Sequence, residues 1–505
     1  MTRGDPDAAI IFSPSVHKKA MPQAAAPRAT TVVIVDPIST GACIAVEALN
    51  RGYSVIALWT AGLPTELKSF VPAKLAGLTY AASLDQSGTL AETANAVRAV
   101  ATGGMIDAVI VGAETGVLLA DSLSEHMGLA TNGTQTGDRR DKHVQQLALR
   151  AVDGLRATDE AHGTEWAHVE EWVQRQPLPI VLKPCDSAGS DGVKLCHSVK
   201  EAKEHFAVLM AAQRRLGSQG SAVLCQEFLR GDEYVVDCVS SNGHHKIMMV
   251  WRYDKRPCND AAFVYFGMAP VPSATPLAQE LIAYVKRVLD ALGIRHGATH
   301  GEVIMTADGP CLVEMNCRSH GAEGSWMPLA SALTGSYCQV DALLDAYVAP
   351  EAFAALPDEP LSFKAAGQEV LIVSMHEGKL VGTPGFDTAK SLESFVSMES
   401  FVTIGERIEK TIDVFTQPAS IIVVHTDPQV VARDVERLRA LELDGMFLLD
   451  KRQSLPADSP ASPGPQLGRP SARRKVRPAR PPPMMAFSSP FVGSAARYSR
   501  YARAA

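Results

Sequence analysis

The sequence predicts an α/β protein of several domains, and three observations predict it. Short β-branched strands alternate with helices from Thr31 onward, a middle stretch turns to glycine-containing hairpins, and a third stretch again mixes apolar strands with a helix. The 505 residues are 46% hydrophobic and 20% charged, enough for about three domains.

The first segment opens with Thr31-Val-Val-Ile-Val-Asp36, a strand that ends in Pro37-Ile-Ser-Thr-Gly41 and runs into a helix over Ala42-Cys-Ile-Ala-Val-Glu-Ala-Leu49. Arg51-Gly52 closes that helix, Tyr53-Ser-Val-Ile-Ala-Leu58 begins a second strand, and Ile106-Asp-Ala-Val-Ile-Val111 forms a later one before Gly112. This alternation implies a doubly wound parallel sheet. The turn after the first strand lacks GxGxxG, so a structural or substrate-facing role is preferred there over a dinucleotide site. A third segment contains the apolar run Gln368-Glu-Val-Leu-Ile-Val-Ser374, the strand Ala419-Ser-Ile-Ile-Val-Val-His425 and a helix from Pro428 to Leu441, which together read as a small α/β cap.

Residues 1–30 are expected to be a disordered leader, without the compact apolar core of a secretory signal. Its Lys18, Lys19 and Arg28 leave an organelle address open. Residues 456–505 are rich in Pro, Ser, Ala and Arg, with Arg473-Arg-Lys-Val-Arg477, and are expected to be a disordered basic tail. A net charge of −7 offers no basic field for nucleic acid, so the expected partners are small molecules. No apolar run reaches the roughly 18–20 residues of a membrane span. The nine cysteines include no CxxC pair, which fits reduced thiols in a cytoplasmic protein.

Three constellations carry the chemistry. In the first, Pro179-Ile-Val-Leu-Lys183-Pro184 delivers a lysine from a strand into a loop of small residues that includes Ser187, Gly189, Ser190 and Gly192. Such a loop exposes backbone N–H groups that can wrap phosphate oxygens, with the ammonium adding a point charge. An ordinary hairpin turn is the competing reading. In the second, Val223-Leu-Cys-Gln226-Glu227-Phe228-Leu229 is a strand leading into a short apolar linker. It can offer backbone groups to an adenine edge while Phe228 and Leu229 flank the ring, and Glu233 stands where a carboxylate can accept ribose hydroxyls. Each of these residues alone is more often a solvated charge or a core position.

The third constellation is a hairpin, Gly301-Glu302-Val-Ile-Met305 turning at Ala307-Asp-Gly309 into Cys311-Leu-Val-Glu314-Met-Asn316-Cys-Arg318. Alternation puts Glu314, Asn316 and Arg318 on one face, and a short turn can bring Glu302 beside Glu314. Glu302, Glu314 and Asn316 form a hard oxygen set suited to Mg²⁺, and carboxylates inside an apolar run are costly without a cation. A polar row on a half-exposed sheet is the alternative. Arg318 can hold a γ-phosphate and later an oxyanion, or form a salt bridge to Glu314 or Glu323 in the empty protein.

Taken in order, Lys142, Lys183-Pro184 with its Ser/Gly loop, Gln226 to Leu229, Glu233, Glu302 and Glu314-Met-Asn316-Cys-Arg318 resemble the motif series of the ATP-grasp superfamily. The resemblance implies a Rossmann-like pre-ATP-grasp domain at 31–138, two ATP-grasp subdomains at 139–350 and a C-terminal α/β cap at 351–455. It implies that Lys142, Lys183, Ser187 and Ser190 contact ATP phosphates, that Gln226, Glu227, Phe228 and Leu229 hold the adenine and Glu233 the ribose. Glu302, Glu314 and Asn316 would bind Mg²⁺, with Mn²⁺ as a substitute, and Arg318 and Lys183 would be catalytic. Within the superfamily, Asp36-Pro-Ile-Ser-Thr-Gly41, His300-Gly-Glu302 and Arg318-Ser-His-Gly321 are similar to bacilysin-type L-amino acid ligases and the ligase portion of carnosine synthase.

That similarity implies an ATP-dependent ligase joining a carboxylate to an amine, with two amino acids as the expected substrates, release of ADP and phosphate, and a homodimer by analogy. An ATP-grasp carboxylase or purine-type ligase and a non-catalytic ATP-binding scaffold are the alternatives. Substrate contacts are expected from Trp251 to Arg256 and from Ser325-Trp326-Met327, with Trp326 walling a side-chain pocket. His296 and His300 are candidate bases for the incoming amine, with a hydrogen-bonded structural role as the competing reading.

Overall fold

The computed structural model describes residues 30–450, apart from 73–74, 138, 186–191, 212–221, 336 and 361. Strands β1 (Thr31–Val35), β2 (Ser54–Trp59), β3 (Ala82–Asp85) and β4 (Ala108–Val111) form a parallel sheet in the order β3-β2-β1-β4. Alternation along β1 explains why both faces are covered. Val32 and Ile34 pack with Ile44 of helix Thr40–Asn50, while Val33 and Val35 pack with Val97 of helix Leu90–Val100 and Leu123 of helix Val117–Met127. The doubly wound sheet read from the sequence is therefore present. Two glycines let the ends of β1 and β4 close together: a Cβ on Gly112 would lie 2.5 Å from the Asp36 carbonyl oxygen, and one on Gly41 would lie 2.6 Å from that of Gly112.

A second, antiparallel sheet has the order β5-β8-β6-β7, from β5 (Glu160–Gly163), β6 (Ile180–Pro184), β7 (Lys194–Cys196) and β8 (Val223–Glu227). Helices Trp166–Arg175 and Val199–Ala211 cover it, burying Val169, Val173 and Phe206 against Ile180, Leu182 and Val223. Lys183 is carried near the end of β6 opposite Leu224.

The largest sheet has eight strands. In chain order they begin with β9 (Gly231–Ser241), β10 (His244–Cys258), β11 (Ala261–Pro270), β12 (Gly297–Thr306), β13 (Gly309–Asn316) and β14 (Ala366–Ile372). After the short β15 (Gly378–Gly382) follow β16 (Phe395–Ser400), β17 (Arg407–Ile408), β18 (Ala419–His425) and β19 (Leu448–Asp450). The spatial order of the large sheet is β13-β12-β9-β10-β11-β14-β18-β16, while β17-β15-β19 form a small separate sheet. The segment read as a cap thus lends three strands to the central sheet. Its helix, Pro428–Leu443, starts as the sequence reading has it and is capped by Asp427, whose carboxylate accepts the Gln429 N–H.

Among the described residues, no helix is long and apolar enough to cross a membrane. All nine cysteines are free, and eight of them are buried.

Candidate active site

The two larger antiparallel sheets and the C-terminal edge of the parallel sheet enclose a cavity of about 980 Å³. Lys142, Lys183, Gln226, Glu227, Phe228, Leu229, Glu233, Glu302, Glu314 and Arg318 all line it, although they are spread over nearly two hundred residues of chain. Ser187 and Ser190 lie outside the described residues.

The hairpin β12–β13 places the acidic pair as its alternation requires. Glu302 faces Glu314 and His300 faces Asn316 across the two strands, with an irregularity after Glu302. Glu314 is held by two groups: Lys142 Nζ lies 2.7 Å from its Oε2, and Asn316 Nδ2 donates to its Oε1 at 3.2 Å. Asn316 sits behind the cavity wall, only 5% exposed, and its Oδ1 accepts from Arg318 at 3.0 Å. Lys142 opens helix Lys142–Arg150, whose N-cap Asp141 accepts the His143 and Val144 N–H groups. The Lys142 N–H in turn donates to the Cys185 carbonyl at the exit of β6, which ties the helix start to the lysine-bearing strand.

Arg318 does not pair with Glu314 or Glu323 as the sequence reading allowed. Its Nε lies 3.2 Å from Glu114 of the first domain, which Arg140 also approaches at 3.4 Å. Glu114 follows β4 and Gly112, so its place is fixed by the close packing of β1 and β4.

Glu233 and Glu302 share Lys255. Its ammonium hydrogen-bonds Glu233 and lies 3.7 Å from Glu302 Oε2. The ribose candidate therefore stands beside a metal candidate, and Lys255 belongs to the charged core of the site. Its neighbours Arg252 and Arg256 face outward in exposed pairs with Asp232 and Asp254. Burial pushes Glu233 up to about 7 against the pull of Lys255. Burial also opposes ionisation of Glu302, but Lys255 and His300 outweigh it and hold that carboxyl well below its ordinary value. The two lysines on the opposite wall diverge as well. Burial and the neighbouring charge of Lys142 lower Lys183 to about 8. Burial of Lys142 is outweighed by Glu314, Glu114 and Glu302, which raise it.

Gln226 is buried on β8 and donates to Thr158 Oγ1 at 3.0 Å and Glu160 Oε2 at 2.7 Å, so its side chain is spent on local structure. Its cavity neighbour Phe228 is covered by the Arg230 guanidinium at 5.3 Å.

A buried network behind the hairpin escaped the sequence reading. Asp237 on β9 accepts from Nδ1 of His300 at 2.8 Å, Nδ1 of His320 at 2.9 Å and the Trp251 indole at 2.7 Å. Tyr253 Oη lies 3.2 Å from His300 Nε2. These distances and the fan of N–H donors onto one carboxylate fit a hydrogen-bonded relay, although the three titratable groups are close enough to share a metal ion. Burial opposes the charge of His300, but Asp237 and Glu302 raise it to about 9, whereas burial and the nearby His300 lower His320 to about 4. His300 is therefore protonated at neutral pH and unsuited to be the base for an amine. His296 does not line the cavity and packs on Tyr347. Trp326 is 1% exposed in the core and donates to the Gly321 carbonyl, so it walls no pocket, while Ser325 beside it reaches the cavity. The missed Asp237 had a signal: a carboxylate within Val235-Val-Asp237-Cys-Val239, the same pattern that singled out Glu302 and Glu314.

The row of hard oxygen donors fits a divalent cation. Two of the three, Glu302 and Glu314, are already satisfied by ammonium groups that stand where positive charge is required.

Residues 176–325, which contain Lys183, Gln226 to Leu229, Glu233 and the whole β12–β13 hairpin, match the ATP-grasp domain family. The chain carries an ATP-grasp domain. The similarity to known relatives extends beyond that stretch. The chain is 28% identical over 346 residues to dapdiamide A synthase of Enterobacter agglomerans, covering 67% of this chain and 80% of that one. It is 30% identical over 154 residues to carnosine synthase 1 of Gallus gallus, of which it spans only 16%. In three dimensions it superimposes on an L-amino acid ligase from Bacillus licheniformis with a TM-score of 0.63 and 16% identity, over 84% of this chain and all of that one.

Proposed function

We propose that this ATP-grasp protein is an ATP-dependent ligase that joins a carboxylate to an amine, the two substrates being amino acids or close relatives. One observation carries the reading: two buried ammonium groups, a guanidinium and a row of hard oxygen donors converge on one cavity large enough for a nucleotide and two small substrates. The names of dapdiamide A synthase and of the L-amino acid ligase support the choice of C–N bond formation among the chemistries open to the fold.

In this reading a carboxylate oxygen attacks the γ-phosphorus of ATP, the bond to ADP breaks, and an acyl phosphate forms. The amine nitrogen then attacks the acyl carbon, phosphate departs with the C–O bonding electrons, and the nitrogen loses a proton. Lys142 and Lys183, close together on one wall, bind phosphate oxygens, and Gln226 to Leu229 and Glu233 hold the nucleoside. Arg318 neutralises the transferring phosphoryl group and then the oxyanion on the acyl carbon. Glu302, Glu314 and Asn316 would hold Mg²⁺, which supplies neutralisation of the β- and γ-phosphate charge. The relay from Asp237 fixes His300 against Glu302 and so positions that carboxylate.

The reading also divides the chain into a pre-ATP-grasp domain at 31–138, the ATP-grasp subdomains at 139–350 and a C-terminal part at 351–455. Phosphate release from Mg-ATP, measured across a matrix of amino-acid and small-carboxylate pairs, tests it. Release should require a specific pair and vanish in Glu314→Ala and Arg318→Ala. Mg-dependent ATP binding with no productive pair would sink the amino-acid reading.

A further inference from the structure

Folding gives most of the buried carboxylates of this protein a cation. Asp121 has Arg139, Asp345 has Arg51, Asp434 has Arg433, Glu442 has Arg439, and Asp237 has His300. Asp36 has none, but both of its oxygens accept hydrogen bonds, from the Thr60 N–H and the Thr115 hydroxyl, and it does not line the cavity. Glu369 on β14 is different. It is 1% exposed, lines the catalytic cavity, and pairs with no Lys, Arg or His among the described residues.

Its contacts fix it without neutralising it. The hydroxyls of Ser325 and Ser420 both donate to Oε1 at 2.6 Å, while Oε2 takes no hydrogen bond among the described residues. Alternation along β14 turns Glu369 and Leu371 to the cavity and Val370 and Ile372 into the core. Glu399 on β16, opposite Ser420 in register, also lines the cavity and adds a second negative charge that acts on Glu369. Burial raises the Glu369 carboxyl above its ordinary value despite the two serines. The cavity is thus divided: ammonium and guanidinium groups gather at the hairpin end, and an unpaired carboxylate stands at the other wall. The segment from Arg318 to Ser325 runs between them, since it begins at the guanidinium and ends on the serine that holds Glu369.

We propose that Glu369 is the receptor for the ammonium group of the amino acid whose carboxylate is activated. The inference rests on the ligase reading and names the chemical class of one substrate: a zwitterion, its carboxylate toward Arg318 and its ammonium on Glu369. It also assigns direction to the reaction. An amine held on a carboxylate keeps its proton and has no lone pair to attack with, so the activated amino acid does not consume itself. The amine of the second substrate, away from Glu369, is the nucleophile.

Two measurements on the full chain test this. In steady-state phosphate release, wild type should favour amino acids over their des-amino carboxylic acids in the activated position. Glu369→Gln, which keeps an oxygen for the two serines, should raise KM for that amino acid about tenfold or more, the loss expected for a charge-assisted hydrogen bond, and leave KM for its des-amino counterpart within about twofold. Equal use of amino and des-amino acids by wild type, or a rise confined to the amine-donating substrate, overturns the proposal.

Calorimetric titration of L-amino acids, β-alanine and their des-amino analogues into both proteins gives an answer that needs no turnover. Amino acids should bind wild type more tightly than Glu369→Gln, and unchanged affinity overturns the proposal. If no pair releases phosphate yet this binding difference stands, the ligase reading falls and the ammonium site survives. An unfolding temperature of Glu369→Gln no lower than wild type separates the binding loss from misfolding.

Discussion

The two walls of the cavity solve the problem of buried charge in opposite ways. At the β12–β13 hairpin both cavity-lining carboxylates have an ammonium or imidazolium partner: Lys142 on Glu314, and Lys255 and His300 on Glu302. At β14 the buried Glu369 has only hydroxyls. The hairpin wall is neutralised by folding, so in the proposed reaction a metal and phosphates would enter by exchanging partners there. The β14 wall is left incomplete, and its missing charge has to arrive with a ligand. The contrast teaches that charge placement can separate groups that hold a nucleotide from a group that selects a substrate.

Substitutions at the two walls should therefore differ in sign as well as size. Glu314→Ala removes the carboxylate that lies 2.7 Å from the buried Lys142 ammonium, and loss of one partner of a buried ion pair costs about 3–5 kcal/mol. Its unfolding temperature should fall together with a loss of turnover, both read on the same preparation. Arg318→Ala should keep the fold and lower kcat by roughly 10²–10³, the effect of removing one group that stabilises developing charge. Equal effects of both variants on stability would break the comparison.

Glu369→Gln should be neutral or stabilising in the absence of substrate, because it removes a buried charge that has no partner. The sign with pH follows. A carboxyl whose folded value is raised costs stability while ionised, so the advantage of the glutamine variant is full above that raised value and disappears as pH falls through it. Denaturant unfolding at several pH values reads this directly, and an advantage that grows on acidification would contradict it.

Lys183 offers a test on the nucleotide side. With its ammonium lowered to about 8, the free protein progressively loses this charge above that pH, and ATP must restore it by taking up a proton. ATP affinity should weaken as pH rises past about 8, with proton uptake visible as a dependence of the binding enthalpy on the buffer. Lys183→Met should abolish both effects. The smallest change is expected from Ser420→Ala, which removes one of two donors to Glu369 Oε1 and should cost about 1 kcal/mol or less.

Much of this site was legible in the chain because strand alternation and a short turn fix which side chains meet. Glu302 opposite Glu314, and Asn316 in reach of Arg318, follow from period two and the Asp308-Gly309 turn. Lys142 carried no local signal, since a lysine at a helix start is ordinary, and only its place in the motif series singled it out. Contacts between distant segments were not legible. Glu114 on Arg318 depends on how the parallel sheet meets the eight-stranded one, and Lys255 between Glu233 and Glu302 depends on β10, β9 and β12 lying side by side in that larger sheet. Trp326 was misread because size suggests a pocket wall, whereas packing demanded a core residue. Asp237 and Glu369 were visible in principle. Each is an acid inside an apolar strand, the rule that found Glu302, and Gln368-Glu-Val-Leu-Ile-Val-Ser374 was read only as a strand.

The segment that links the two walls has a further consequence. Ala322, Glu323 and Gly324 hold φ of 56°, 52° and 72°, a run that costs backbone energy for the two non-glycine residues. It is pinned from the first domain: the Thr40 hydroxyl donates to the Gly321 carbonyl at 2.8 Å, and the Glu323 N–H donates to the Ser39 hydroxyl at 3.0 Å. Ser39 and Thr40 belong to the turn after β1, a place where other doubly wound sheets hold a ligand of their own. Here that crevice grips a neighbouring stretch of the same polypeptide. A fragment starting at residue 139 would retain nearly every charged group named above and still lack the splint that aligns them, so the modularity of the architecture stops short of its chemistry.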